Sequence, residues 1–154
     1  MKTLELKDIC GYLPYGLKFL SDYFSTPHEI VSIDLTDNTA DFSNNCGYTN
    51  KSLGEVKPIL RPMSDLTTEI THRGEKFVPM VELGECANVE VEVADFEFKR
   101  DKVIDVLFHN ILSGERSSII IFDKLNEWMF DYRGLISAGL AIDVNTLPEN
   151  PYER

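Results

Sequence analysis

The sequence predicts an α+β fold, with a small, mainly antiparallel sheet packed against two helices near 101–112 and 118–138. Three observations predict it. Residues 29–42 alternate apolar and polar on both sides of an Asp37-Asn38 turn, the pattern of a hairpin. Residues 89–98 read Val-Glu-Val-Glu-Val-Ala-Asp-Phe-Glu-Phe, the strongest strand signal in the chain. Apolar pairs at 103/104, 107/108 and 111/112, and again from Ile121/Phe122 through Leu125 to Trp128/Met129, recur with the period of a helix. A length of 154 residues fits one domain, here 1–147, followed by a short tail at 148–154 that is expected to fray.

Element by element, Leu4, Leu6, Ile9, Cys10 and Leu13 suit a short helix halted by Pro14, with Tyr15-Gly16 as a turn and a strand from Gly16 to Phe19. In the hairpin, Val31, Ile33 and Leu35 alternate with Ser32 and Asp34, and Ala40 and Phe42 resume the pattern after the turn. Residues 43–50 show no buried periodicity and read as an exposed loop. Val56–Leu60 reads as a strand that Pro58 pushes to a sheet edge. Ser64 can cap a short helix holding Leu66 and Ile70, with Asp65 in its first turn and Gly74 beyond its end. Pro79 biases Val78 to extended geometry, so 76–78 is strand-like before a helical turn.

In 89–98 the apolar positions are odd through Val93 and even from Ala94, a phase change that predicts a β-bulge near 93–94. The helix over 101–112 ends at Ser113-Gly114. The next starts near Ser117 or Ser118, runs through Tyr132, breaks at Gly134 and continues to Gly139, with Trp128 and Met129 in the core. Residues 141–144 form a last short strand.

Composition narrows function. Fifteen basic against 26 acidic side chains leave a net charge of −11, which argues against a nucleic-acid coat. The acid is uneven: residues 1–77 carry eight basic and 11 acidic groups, residues 78–154 seven and 15. The longest apolar run, Ile119–Phe122, is far below the ~20 residues of a membrane span. Charges at Lys2, Glu5, Lys7 and Asp8 leave no apolar core for a signal peptide, so a reducing cytoplasm is expected and the sequon at Asn50-Lys51-Ser52 has no role. Cys10, Cys46 and Cys86 are odd in number and widely spaced, which fits neither a disulfide framework nor a zinc site.

Three segments resemble a family of uncharacterised prophage-associated proteins from Bacteroides-type bacteria: LELKDICGYLPYGLKF (4–19), EVKPILRPMSDLTTEITHRGEKFVPMVEL (55–83) and KLNEWMFDYRGLISAGLAIDVNTL (124–147). They cover 69 residues, under half the chain. The resemblance implies a phage or mobile-element setting, in the cytoplasm or the virion, and carries no activity or catalytic residue with it.

The residues that could carry chemistry each have an ordinary reading. Gly134 and Gly139 have phosphate-loop spacing, but Leu140 and Ala141 stand where Lys and Ser/Thr are needed, so both glycines read as helix ends. His72 or His109 could serve a cysteine nucleophile, yet Cys10 lies on an apolar stripe and reads as core, while Cys46 reads as an exposed thiol. Asp123, Glu127 and Asp131 recur every four residues and could recruit a hard cation, but opposite Leu125, Trp128, Met129 and Tyr132 they read as the solvated face of a helix. Glu90, Glu92 and Glu97 read as the wet side of an amphipathic strand. Lys51, Lys57, Arg61, Arg73 and Lys76, with His72, lie among four acids and read as surface pairing rather than a phosphate site.

No catalytic, cofactor or metal residue is therefore assigned. The sequence points to a non-enzymatic prophage accessory protein that acts through a protein partner. The alternatives are an acidic decoy for a host nucleic-acid-binding protein and a small enzyme without a recognisable motif.

Overall fold

The computed structural model describes residues 3–44, 47–86, 109 and 115–154. It is a mixed α+β structure, mostly sheet. The helices of more than one turn among the described residues, α2 (Pro79–Cys86) and α3 (Glu115–Glu127), lie in the C-terminal half. The chain divides into two compact units. Unit 1 comprises Met1–Pro62 and Met129–Pro151; unit 2 comprises Met63–Trp128 and Tyr152–Arg154.

Unit 1 opens with α1 (Leu6–Ile9), capped by the Asp8 carboxylate, which accepts from the Glu5 backbone N–H at 3.1 Å. Pro14 sits inside a 3-10 turn, Leu13–Tyr15, and Gly16 closes it with φ +78°, a conformation natural to glycine. The sheet follows, with strands β1 (Lys18–Leu20), β2 (His28–Asp34), β3 (Thr39–Asn44), β4 (Gly47–Ser52), β5 (Lys57–Leu60) and β8 (Ile142–Asp143) in the order β4-β3-β2-β1-β5-β8. Each pairing is antiparallel except β5–β8. Phe19 and Phe42 meet edge to face at 5.5 Å, and Phe24 reaches Phe42 at 5.3 Å. The Tyr12 hydroxyl donates to the Phe130 carbonyl at 2.8 Å; both residues are buried. Burial pushes that phenol far above its ordinary range, so it remains a proton donor.

The 29–42 hairpin forms as the alternation requires, with Asn38 at φ +54° in the turn. Its facing differs in one respect. A register shift between Ile30 and Ser32 marks a bulge, and Val31 and Leu35 are exposed while Ile33 is only partly so.

Residues 43–44 and 47–50 are strand rather than loop. β4 pairs with β3 from Thr39↔Ser52 to Asn44↔Gly47. A strand without buried periodicity is held here by its backbone ladder and by polar cross-strand contacts. Ser32 Oγ donates to Asp41 at 2.6 Å, and Asn50 Nδ2 donates to the other Asp41 oxygen at 2.8 Å. These bonds, Ser32 first and Asn50 next, hold the Asp41 carboxyl below its ordinary 3.8. A depressed folded value means that this contribution is complete above 3.8 and is lost as pH falls through the folded value. Ser32→Ala is expected to move the Asp41 titration, followed by carbon NMR, back toward 3.8. An unmoved curve would show that the bond does not form in solution.

β5 is internal rather than at an edge. Its pairing to β8 starts at Ile59↔Ile142, so Pro58, opposite Phe19 on β1, has a partner strand on one side only and its missing N–H is tolerated.

In unit 2 a 3-10 turn, Met63–Thr67, replaces the helix expected after Ser64. Residues 70–77 instead make a hairpin, β6 (Ile70–His72) and β7 (Glu75–Phe77). Its two-residue turn needs positive φ at both positions, which Arg73 (+50°) and Gly74 (+82°) supply. α2 then packs on α3 and on the 3-10 turn, burying Leu66, Met80, Leu83, Ile121, Leu125 and Trp128. Where fraying was expected, Tyr152 is buried, its ring 6.1 Å from that of His72. Arg73 and Gly74 N–H donate to the Tyr152 and Glu153 carbonyls at 2.7 and 2.8 Å.

α3 ends at Glu127 rather than running to Tyr132. Met129 takes a left-handed φ of +63°, and Phe130 forms a parallel bridge with Arg61, locked by Arg61 N–H to Met129 O (2.7 Å) and Asp131 N–H to Arg61 O (2.8 Å). Trp128 and Met129 are both buried, as expected. The strand at 89–98, its bulge near 93–94 and the helix over 101–112 fall outside the described residues, save for a helical His109. No helix among the described residues is long and apolar enough to cross a membrane.

Candidate functional site

Unit 2 carries a cleft of about 470 Å³ between the β6–β7 hairpin, α2 and the end of α3. Each of its walls follows from local sequence. The hairpin turn places Arg73, and β7 supplies Glu75, Lys76 and Phe77. α2, started by Pro79, presents Glu82. The last turn of α3 presents Lys124, Glu127 and Trp128, which the 3.6-residue period brings to one side.

Phe77 and Trp128 meet at 4.9 Å between ring centroids, inclined by 49°. Lys124 Nζ donates to Glu127 Oε2 at 2.9 Å and lies 5.6 Å from the Trp128 ring centroid, within cation–π range. The hydrogen bond to Glu127 raises the Lys124 pKa, and the nearby carboxylates of Glu127 and Glu82 add to it. Lys124 is thus a fixed ammonium at neutral pH, a donor toward an acceptor rather than a nucleophilic amine. Its partial exposure keeps the pair's contribution to stability small. The cleft joins an aromatic wall to charged groups of both signs.

Of the described residues singled out in the sequence, His72, Arg73, Lys76 and Glu127 line this cleft, and the others do not. Cys10, expected in the core, is exposed, and its Sγ contacts the Lys7 carbonyl at 3.6 Å. Cys46 lies outside the described residues, as do Glu90, Glu92 and Glu97. Cys86 is half-buried and does not line the cleft with His72, which is buried; His109 is exposed.

The 123/127/131 ladder does not form, because the helix ends before its third member. Asp123 is exposed and Glu127 pairs with Lys124. Asp131 is buried, accepting from the Leu135 and Ile136 N–H groups at 2.8 and 2.7 Å. Among the described residues no cluster of three or more His, Cys, Asp and Glu could hold a metal.

Gly134 and Gly139 both take left-handed φ, +71° and +72°, in the turns that follow Asp131. Of the basic stretch, Lys57 and the buried Arg61 belong to unit 1, while Arg73 and Lys76 line the cleft in unit 2. Lys51 sits over the Tyr23 ring at 3.4 Å. In the sequence Trp128 reads as core alone, which hides the cleft. The spacing of Lys124, Glu127 and Trp128 was the available signal.

No family model, curated protein or solved structure matches the chain.

Proposed function

We propose that the chain is a non-enzymatic protein-interaction protein, an accessory of the kind a prophage carries, acting in the cytoplasm or the virion. One observation carries the reading. α3 buries Ile121 and Leu125, yet it also turns Ile119 (67% exposed), Ile120 (44%) and Phe122 (38%) outward. A helix apolar on both sides stabilises itself through one face and leaves the other available to a partner. The aromatic and ion-paired cleft, formed partly by the last turn of the same helix, extends that chemistry.

The test is affinity capture of the tagged protein from cells carrying the prophage, with elution by stepped salt and mass spectrometry. The wild type is expected to hold a stoichiometric partner that I119E/F122E loses. Ile119 is 67% exposed, so I119E alone is expected to change the unfolding free energy by no more than about 0.5 kcal/mol and is the folded control for the double variant, since Phe122 is only 38% exposed. A protein that emerges alone, or a steady hydrolase activity abolished by changing one cleft residue, would refute the reading.

A further inference from the structure

The sheet of unit 1 contains an interrupted row. β1 pairs with β2 only through Lys18↔Glu29 and Phe19↔His28. β3 pairs with β2 only from Ile30 to Asp34, on the opposite side. β2 thus changes partner at its bulge. Among the described residues, no strand pairs with Val31–Asp34 on the β1 side.

The reason lies in the chain before β1. To continue the row, residues 13–17 would have to stay extended, but the 3-10 turn at Leu13–Tyr15 and Gly16 at φ +78° carry them away from β2. The space left is a groove of about 330 Å³. Its walls are Leu13, Gly16 and Leu17 on one side and residues 29–33 of β2 on the other. That volume is at the small end of the range for ligand sites, roughly 300–1,000 Å³.

We infer that this groove takes a single extended peptide segment of a partner, added to β2 as a strand in the row that β1 leaves without a partner strand among the described residues. The inference rests on the protein-interaction reading and names a site and a partner chemistry for it.

Three features select the occupant. An open strand edge offers alternating N–H and C=O groups, which only another extended backbone satisfies in series. The edge is interior, with β1 continuing the same row, so a lone strand fits where the edge of a second copy's sheet would meet β1 and the 3-10 turn. The available length is Ile30–Asp34, about 16 Å at 3.3 Å per residue, which specifies four or five residues.

Side-chain chemistry follows from the walls. Leu13, Ile30 and Ile33 offer apolar contacts with Glu29 and Ser32 among them, so the occupant is expected to mix apolar and small polar groups. The exposed carboxylates of Asp34 and Asp37 lie at the far end, where a Lys or Arg complements them, and the chain as a whole carries −11.

The probe is an array of acetylated hexapeptides alternating Val, Ile or Leu with Ser or Thr and ending in Lys. The best binder is then titrated into the isotope-labelled full chain. Expected are shifts and slowed hydrogen exchange at the Val31–Asp34 amides, and binding weakened about tenfold or more by Val31→Glu. N-methylation of alternate peptide amides, which removes main-chain donors without touching the protein, is expected to weaken binding equally.

The proposal is overturned if no array peptide binds below about 1 mM. It is also overturned if N-methylated peptides bind unchanged, or if the chain instead forms a concentration-dependent dimer that Val31→Glu dissolves. A partner captured by the wild type and by V31E alike, but lost by I119E/F122E, would remove this groove while leaving the interaction reading intact.

Discussion

Asp131→Ala is expected to destabilise the protein by about 3–5 kcal/mol, read as a lower urea midpoint by far-UV circular dichroism with an unchanged slope. The carboxylate is 6% exposed and accepts two backbone N–H bonds, from the buried Leu135 at 2.8 Å and the half-buried Ile136 at 2.7 Å. A charged acceptor makes each bond worth roughly 1.5–3 kcal/mol, and its removal leaves two donors that the enclosed turn cannot hydrate well. Asp131→Asn keeps the shape but turns an NH₂ toward one of those donors, so about 1–3 kcal/mol is expected to be lost. Asp123→Ala is the control: that residue is exposed, and a change within about 0.5 kcal/mol is expected. Equal losses at 123 and 131 would refute the capping role and restore a shared acidic face.

Phe42→Ala should cost a similar amount, about 3–5 kcal/mol. Phe42 is fully buried and meets two other rings, Phe19 at 5.5 Å and Phe24 at 5.3 Å. Truncation removes the buried area and leaves a cavity, and it also loses aromatic contacts worth roughly 0.5–1.5 kcal/mol each. Tyr48 on the adjacent strand is 72% exposed, and Tyr48→Ala is expected to stay within about 0.5 kcal/mol. A loss below about 1.5 kcal/mol at Phe42 would mean that the three-ring cluster is not the centre of this sheet's core.

The hairpin, the turn at Asp37-Asn38, β1, β7 and β8 were legible because their signals sit within a few residues of one another. β4 was not legible: its side chains are polar, and its stability comes from a ladder to β3 and from Asp41, nine residues from Asn50. Pro58 suggested an edge because a missing N–H is a local fact, whereas the side on which β8 begins is not. Cys10 was misplaced for a related reason, since an apolar period identifies a helix side but not where that side stops being covered. The cleft was partly legible. Lys124, Glu127 and Trp128 carry helix spacing, but Phe77 and Arg73 reach them only through the hairpin that replaced the expected helix.

From its sequence alone the chain is committed to a mixed α+β structure, to extended geometry on either side of Asp37-Asn38, and to burial of Trp128 and Met129. Alternation, turn residues and helical period all act over one or two turns of chain. Tertiary structure decided where α3 stops, what Asp131 does and which part of β2 pairs with β1. The apolar period continues past Glu127, but the chain leaves the helix because Phe130 bridges to Arg61 and its carbonyl accepts from Tyr12, 118 residues away. A residue's role in such a contact depends on a partner whose distance along the chain leaves no trace in local pattern. That is why the same aspartate reads as a solvated charge in sequence and folds as a buried cap.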